Sequence, residues 1–311
     1  MSLRTLKTLR IDESSTKRAG NPAHGSENPI GGTILSPIVV LGATGPIGRA
    51  VVRAGVETGR PVIAVAQDVQ QLTRLGLDHP GAELALIATT IAAEHDAVRL
   101  ADALRSQDRH IGAVVDAMTG DAGRGRILDH SVDLMRRALE DDLLPHLSAA
   151  RHLIPLLSQA RRGGRYLIIG GPGSDAPWAN YGFRSVAASA LRMLACVLHD
   201  EARSLDVRVQ MLSVATPVRG EVAGRHECAE WPTASAIGRQ ALQLIDRRDA
   251  ATDTGGALVA PTARAVVRYV GNVESAAAHT TSKGRTWTDV RSFLETLNLQ
   301  ESNEVKPDET P

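Results

Sequence analysis

Residues 38–48 read Ile-Val-Val-Leu-Gly-Ala-Thr-Gly-Pro-Ile-Gly, and their order decides the fold. Four consecutive aliphatic residues, three of them β-branched, predict a strand buried on both faces. Gly42 supplies a tight turn after it. Pro46 fits the first turn of a helix, where no N–H donor is needed. Gly48 lets that helix pack closely on the strand, and Gly45 leaves the backbone bare where a pyrophosphate could approach. The N–H groups at the helix mouth, with Thr44, Pro46 and Ile47 beside them, would face such an anion. The same residues also suit a plain strand–helix turn with no ligand. A triphosphate loop is excluded, because no Gly-Lys-Ser/Thr ending follows.

The same rhythm continues outward from this turn. Residues 46–58 predict a helix with Ile47, Val51, Val52 and Val56 near one face, ended by Gly59. Residues 61–68 (PVIAVAQD) predict a second strand, 69–77 a helix, 83–90 a third strand and 95–107 a helix. IGAVVDAM (111–118) predicts a fourth strand. Residues 127–162 predict a long helical stretch bent or split by Pro145 and Pro155. YLIIGG (166–171), a helix over 185–205, and VRVQMLSVATP (207–217) follow. GGALVAP (255–261) is expected as a last strand, and a short helix is expected over 288–297. Strands that are continuous apolar runs, each followed by a helix-length crossover, predict a three-layer α/β Rossmann-like fold with a mostly parallel, doubly wound sheet. Residues 1–35 are expected to be a flexible leader, 36–299 one dinucleotide-binding domain with a substrate-side loop over 217–235, and 300–311 a disordered tail.

Composition removes several classes. The chain has 311 residues, with 35 Lys and Arg against 35 Asp and Glu, so a general electrostatic attraction to nucleic acid is absent. Aromatic residues make up 3%, which leaves little to stack on bases. No apolar run approaches a membrane span, so neither nucleic acid nor membrane is an expected partner. Two cysteines, Cys196 and Cys228, make no disulfide framework, and a reducing cytoplasmic setting is expected. His226, Glu227, Cys228 and Glu230 cluster in one loop but lack the spacing of a zinc site, so no metal is expected. His146, His152 and His199 are read as surface residues of helices. Lysine occurs only at Lys7, Lys17, Lys283 and Lys306, so residues 18–282 hold no amine able to act as a base.

Over roughly residues 36–262 the order of elements resembles the short-chain dehydrogenase/reductase family. Beyond the glycine turn, GGRYLIIGG resembles that family's fifth strand. Leu191, Leu194, Leu198 and Glu201 resemble the spacing of its long helix before the sixth strand. VRVQMLSVATPVRG resembles the sixth strand leading to a nicotinamide-side proline, here Pro217. The resemblance implies NAD or NADP as cofactor, a small organic substrate such as a carbonyl or alcohol, and a homodimer or homotetramer built on the helix carrying those leucines. It also implies roles for particular residues. Gln67 and Asp68 would meet the adenosine ribose, where Asp68 favours NAD narrowly and Arg49 would favour the 2′-phosphate of NADP. Asp116 and Ala117 fall where relatives line the ribose, although Asp116 equally suits a turn cap. Gly170 would lie beside the nicotinamide.

The resemblance stops at the acid/base set. Aligned on the four helix residues, Arg184 takes the tyrosine position and Ala188 the lysine position. Gly171 takes the serine position and Asp142 the asparagine position. One expectation is a divergent oxidoreductase in which Arg184 stabilises oxygen charge and Asp142 or Tyr181 moves a proton. The other is an inactive dinucleotide-binding sensor, scaffold or partner subunit. Trp178 and Trp231 would make apolar substrate walls, with core or lid packing as the other possibility.

Overall fold

The glycine turn leaves the first of seven strands. The computed structural model describes residues 35–107, 109–120, 123–160, 163–220, 228–247 and 264–269. Strands β1 (Ile38–Leu41), β2 (Val62–Ala66), β3 (Leu84–Ala88), β4 (Ala113–Asp116), β5 (Gly164–Gly170), β6 (Val207–Ser213) and β7 (Val266–Arg268) form one sheet. Their order is β3-β2-β1-β4-β5-β6-β7, and every pairing is parallel. Ile38 pairs with Val62 on one side and Ala113 on the other. The chain thus winds outward from β1 to β3, then returns to β4. The reversal opens a crevice at the C-terminal ends of β1 and β4, the place where doubly wound sheets take ligands.

Why β1 is apolar at every position follows from the two cores. Ile38 and Val40 pack with α1 (Pro46–Glu57), α2 (Val69–Leu77) and α7 (Ala234–Asp246). Val39 and Leu41 pack on the other face with α3 (Glu94–Arg105), α5 (Leu144–Leu157) and α6 (Gly182–Glu201). All four residues are buried. Side chains of a strand alternate between faces, so a sheet covered twice needs an unbroken apolar run.

Helix boundaries follow local chemistry. Gly59 stands at φ 69° and donates to Val56 O while Arg60 donates to Gly55 O, the paired bonds that close a helix on a left-handed glycine. The helical stretch before β5 is split, not merely bent. A short 3-10 turn (Ile127–Asp129) precedes α4 (Val132–Asp142), and α5 begins at Leu144 with Pro145 in its first turn. Leu143, at the break, has φ −125° and ψ −53°; Pro145 has no N–H to donate and its ring would crowd the carbonyl four residues back, so a continuous helix stops ahead of it, whereas the first turn of a new helix accepts it. Pro155 lies inside α5 without ending it.

Among the described residues the last strand is Val266–Arg268, a stretch for which the sequence predicts no definite element. The expected strand over 255–261, the helix over 288–297, residues 1–34 of the leader, the tail 300–311 and the domain's end at 299 lie outside the described residues. Described helices include none long and apolar enough to cross a membrane.

Candidate functional site

The turn after β1 separates glycines the fold needs from one it does not. Gly42 sits at φ 70°, and a Cβ there would lie 2.7 Å from the Ala117 carbonyl oxygen. A Cβ on Gly48 would lie 2.1 Å from the Gly42 carbonyl oxygen. Both positions are closed to side chains by the protein itself. Gly45 has φ −71° and ψ 165°, a conformation open to any residue. Its nearest neighbour would be Gly42 O at 3.4 Å, an ordinary contact. Gly45 is also the N-cap of α1, no side chain among the described residues caps that helix, and its first turn contains no acid. Pro46 opens the helix, so Ile47 and Gly48 carry its free N–H groups. An uncapped helix mouth beside a glycine that packing does not require is a cradle for an anion. Thr44 contributes its carbonyl, which accepts from Arg49 Nε at 2.9 Å.

At the end of β2, Gln67 and Asp68 are both exposed. Asp68 caps α2: Oδ1 accepts from the Gln70 and Gln71 N–H groups at 2.8 and 3.1 Å, and Oδ2 from Gln71 Nε2 at 3.0 Å. The bonds from the Gln71 backbone and side chain hold its carboxyl below the usual range. Gln71 Oε1 in turn accepts from Arg49 Nη2 at 3.3 Å. Arg49, Gln71 and Asp68 therefore form one polar chain between the mouth of α1 and that of α2.

The end of β4 carries a buried network. Asp116 is fully buried. Its Oδ1 accepts from the Met118 N–H at 3.2 Å, and its Oδ2 meets His146 Nδ1 at 2.8 Å and the Tyr166 hydroxyl at 3.2 Å. The Asp116 carboxylate thus faces the core, and Ala117 beside it is buried against Gly42. His146 is buried rather than on the surface, and so is His199, whose Nδ1 meets Val209 O at 2.6 Å. Of the three, His152 alone lies outside the core, half-buried beside Glu94. Burial alone would lower the His146 pKa. The charge and hydrogen bond of Asp116, with Asp142 beyond, outweigh it and hold the imidazole above its ordinary value. Burial and then Asp116 push the Tyr166 phenol well above its usual range, so it serves as a fixed donor.

Asp142, the last residue of α4, and Arg184, in the first turn of α6, hold opposite ends of one residue. Asp142 Oδ1 accepts from Gly120 N at 2.6 Å, and Arg184 Nη2 donates to Gly120 O at 3.2 Å. Asp142 Oδ2 and Arg184 Nε are buried and find no partner among the described residues. Burial raises the Asp142 carboxyl above its usual value, against the Gly120 bond and the charges of Arg184 and His146. Asp142 and Arg184 are thus brought together; Tyr181 belongs to a different group. Its hydroxyl accepts from Arg124 Nε at 2.6 Å and its ring stacks on Trp178 at 4.1 Å. Gly125 N donates to Asn180 O nearby, which ties the loop after β4 to the loop before α6.

Gly170 ends β5, and a Cβ there would lie 1.9 Å from Met211 Cε, the movable end of that side chain. Gly171 has open space before it. Pro217 is half-buried in the segment leaving β6. That segment returns to α7 through Arg219, which bonds to Pro232 O and Trp231 O. Residues 221–227 of the substrate-side loop lie outside the described residues, as do His226 and Glu227; Cys228 and Glu230 are exposed. Among the described residues no three His, Cys, Asp or Glu side chains are placed to hold a metal. Leu191 and Leu198 face the core, and the outward stripe of α6 is Val186, Met193 and Val197.

Sequence reasoning missed His146, Tyr166, Gly120 and Arg124. A signal existed for the first: His146, Ala150, Leu153 and Leu157 fall at helical spacing on one face, and all are buried.

No curated protein matches the sequence. Solved structures share its fold. A short-chain dehydrogenase from Streptomyces avermitilis is 18% identical with TM-score 0.61, over 87% of this chain and 100% of that one. A short-chain type dehydrogenase/reductase from Mycobacterium ulcerans is 19% identical with TM-score 0.61, over 68% of this chain and 82% of that one. An NADPH-bound short chain oxidoreductase from Pseudomonas aeruginosa PAO1, containing an atypical catalytic center, is 18% identical with TM-score 0.59, over 68% and 89%. In sequence, the family model of short chain dehydrogenases matches residues 36–223. With well over half its length matched, and the glycine turn at the crevice its sheet order creates, the chain belongs to the short-chain dehydrogenase family.

Proposed function

We propose that the chain binds NAD(H) or NADP(H) at the turn after β1 and works as an oxidoreductase on a small carbonyl or alcohol through a non-standard proton-transfer site. One observation carries the cofactor part: Gly45 is bare at a helix mouth that no described side chain caps, although none of the described residues forbids a side chain there. The backbone of Gly42 to Gly48 would hold the pyrophosphate, Gln67, Asp68 and Arg49 would face the adenosine ribose, and Gly170 and Pro217 would flank the nicotinamide. When bound, the nicotinamide donates or accepts the hydride. Asp68 already gives its carboxylate three bonds at the α2 cap, and Arg49 lies one residue away along the same polar chain, so NAD and NADP stay in competition with a narrow lean to NAD.

For the proton, Asp142 and Arg184 are the candidates. An acid with a raised pKa beside an arginine is the pairing that tends to mark a reactive site. Arg184 would stabilise negative charge on the substrate oxygen, and Asp142 would give or take its proton. Both spare atoms are withdrawn from solvent, so access requires the Gly120 residue they share to shift. The P. aeruginosa protein, with its bound NADPH, supports a dinucleotide coexisting with an atypical catalytic center in this fold. A second reading, a non-catalytic dinucleotide sensor or partner subunit, is favoured by Tyr181, whose hydroxyl is held by Arg124, and by the absence of lysine from residues 18–282. Association into dimers or tetramers would use the exposed stripe of α6, and the free cysteines suit the cytoplasm.

Calorimetric titration with each dinucleotide tests the reading. Saturable binding that Gly45→Thr weakens is expected, and none at millimolar concentration would reject it. A panel of carbonyls, alcohols and enones separates the two readings, since cofactor-linked turnover removes the non-catalytic one.

A further inference from the structure

We infer that His146 is a positioning residue for the dinucleotide site, acting through Asp116 on the wall of the glycine turn. The inference rests on the cofactor reading above. The chain of contact is short. His146 Nδ1 meets Asp116 Oδ2 at 2.8 Å, and the other oxygen of that carboxylate holds the Met118 N–H at 3.2 Å. Asp116 therefore fixes the backbone of residues 116–118 from inside. That backbone is what Gly42 rests against: its missing Cβ would lie 2.7 Å from Ala117 O and 3.0 Å from Met118 Cα. Ala117 N in turn donates to Leu41 O at 3.1 Å. A turn wedged this tightly against its neighbour moves when the neighbour moves.

The groups facing His146 are few. Asp116 comes from β4, Tyr166 from β5 through the same Asp116 oxygen, and Asp142 from the end of α4, with Arg184 of α6 acting on Asp142. Two carboxylates around one imidazole favour its protonated form, and the direction of its shift agrees. The protonated ring gives Asp116 a charge-assisted hydrogen bond. Its loss as pH rises through the raised value leaves Asp116 braced by a weaker donor. Dinucleotide affinity should then fall with rising pH, and by linkage a bound dinucleotide should raise the His146 pKa further.

The test measures the dissociation constant of NAD and NADP by calorimetry from about pH 6 to about pH 9, the range over which a histidine can switch. In wild type the affinity falls across that range. His146→Leu, which cannot bond to Asp116, should weaken binding about tenfold. His146→Gln, which can donate but carries no charge, should weaken it about threefold and flatten the pH dependence. Tyr166→Phe should weaken it about twofold and keep the slope, which protects the test if His146→Leu fails to fold. A purely structural histidine would lower thermal stability in these variants without moving the pH profile. An unchanged slope in His146→Gln, or a dissociation constant in folded His146→Leu within twofold of wild type, overturns the inference. Absence of saturable binding to wild type overturns the cofactor reading, and this inference falls with it.

Discussion

The turn over residues 42–48 and the polar group around Gly120 stand on two sides of the same backbone, residues 116–120, and obey different rules. The turn is made by main chain. Gly42 and Gly48 are demanded by overlaps with Ala117 O and Gly42 O, and the groups proposed to meet a ligand there are N–H donors that every residue but proline carries. The polar group is made by side chains. Asp142 and Arg184 each bond to Gly120 and each keep one buried atom unpaired among the described residues. A backbone site tolerates wide changes in sequence as long as certain positions stay small. A side-chain site changes its chemistry with any one residue. Family membership is therefore written in the first region, and whatever is particular to this chain lies in the second.

The sharpest way to break that contrast is Gly48→Ala. Alanine gains roughly 1 kcal/mol over glycine inside a helix, but its Cβ would sit 2.1 Å from a backbone oxygen that has no room to retreat. A net loss of about 3 kcal/mol is expected in urea unfolding. A loss under about 1 kcal/mol would mean the turn is more adjustable than its geometry implies. Gly45→Thr is the counterpart. Threonine caps helices about as well as glycine, so stability should stay within about 0.5 kcal/mol. The dissociation constant for dinucleotide should rise at least about tenfold, about 1.4 kcal/mol. If both variants lose stability and neither loses affinity, the distinction between the two glycines fails.

These two glycines also show what a sequence can say. β1 was legible because burial on both faces leaves no alternation, and the turn because its glycines stand within eleven consecutive residues, although the Ala117 carbonyl that excludes a side chain from Gly42 lies at another strand's end. The split between α4 and α5 was half legible, since Pro145 marks an interruption but not whether the helix bends or ends. The network around Asp116 was not legible in the same way. His146 lies 30 residues away and Tyr166 lies 50 residues away, so three elements must assemble before the partners meet. Helical spacing puts His146 on the buried face of α5, yet only the fold supplies the carboxylate that makes its burial tolerable. Arg184 finds Gly120 across 64 residues, and no local pattern announces that bond. Leu191 and Leu198 of α6 mark its core face, and the same helix turns Val186, Met193 and Val197 outward.

Asp142 offers a smaller test of the side-chain region. Asp142→Ala leaves the Gly120 N–H without its acceptor and should cost about 1 kcal/mol. Asp142→Asn keeps an acceptor oxygen and removes the charge. The Asp142 carboxyl is raised in the folded protein by burial. Its favourable contribution is therefore complete below the unfolded value and is lost as pH rises through the folded one. Unfolding measured between acid and neutral pH should show Asp142→Asn gaining on wild type as pH rises through that interval. A constant difference would mean the carboxylate is no worse solvated in the folded state than in the unfolded one.

Asp68 runs the other way and should have the smallest effect. Its carboxyl is lowered by the N–H and side-chain bonds of Gln71, with Gln70 adding to them. A depressed pKa makes the sign opposite to that of Asp142: the stabilisation is present above the unfolded value and disappears as pH falls through the folded one. Asp68→Ala should lower the melting temperature slightly at neutral pH and not at all in acid, because protonation removes from wild type the same anionic cap that the substitution removes. The same variant bears on the cofactor. Since the Asp68 carboxylate anchors Gln71, and Gln71 accepts from Arg49, losing it frees that arginine beside the proposed adenosine site. A shift of affinity toward NADP over NAD is expected, read from the ratio of the two dissociation constants. A ratio that does not move while the acid-sensitive melting difference appears would show that Asp68 serves the helix cap alone, and that the ribose is read elsewhere.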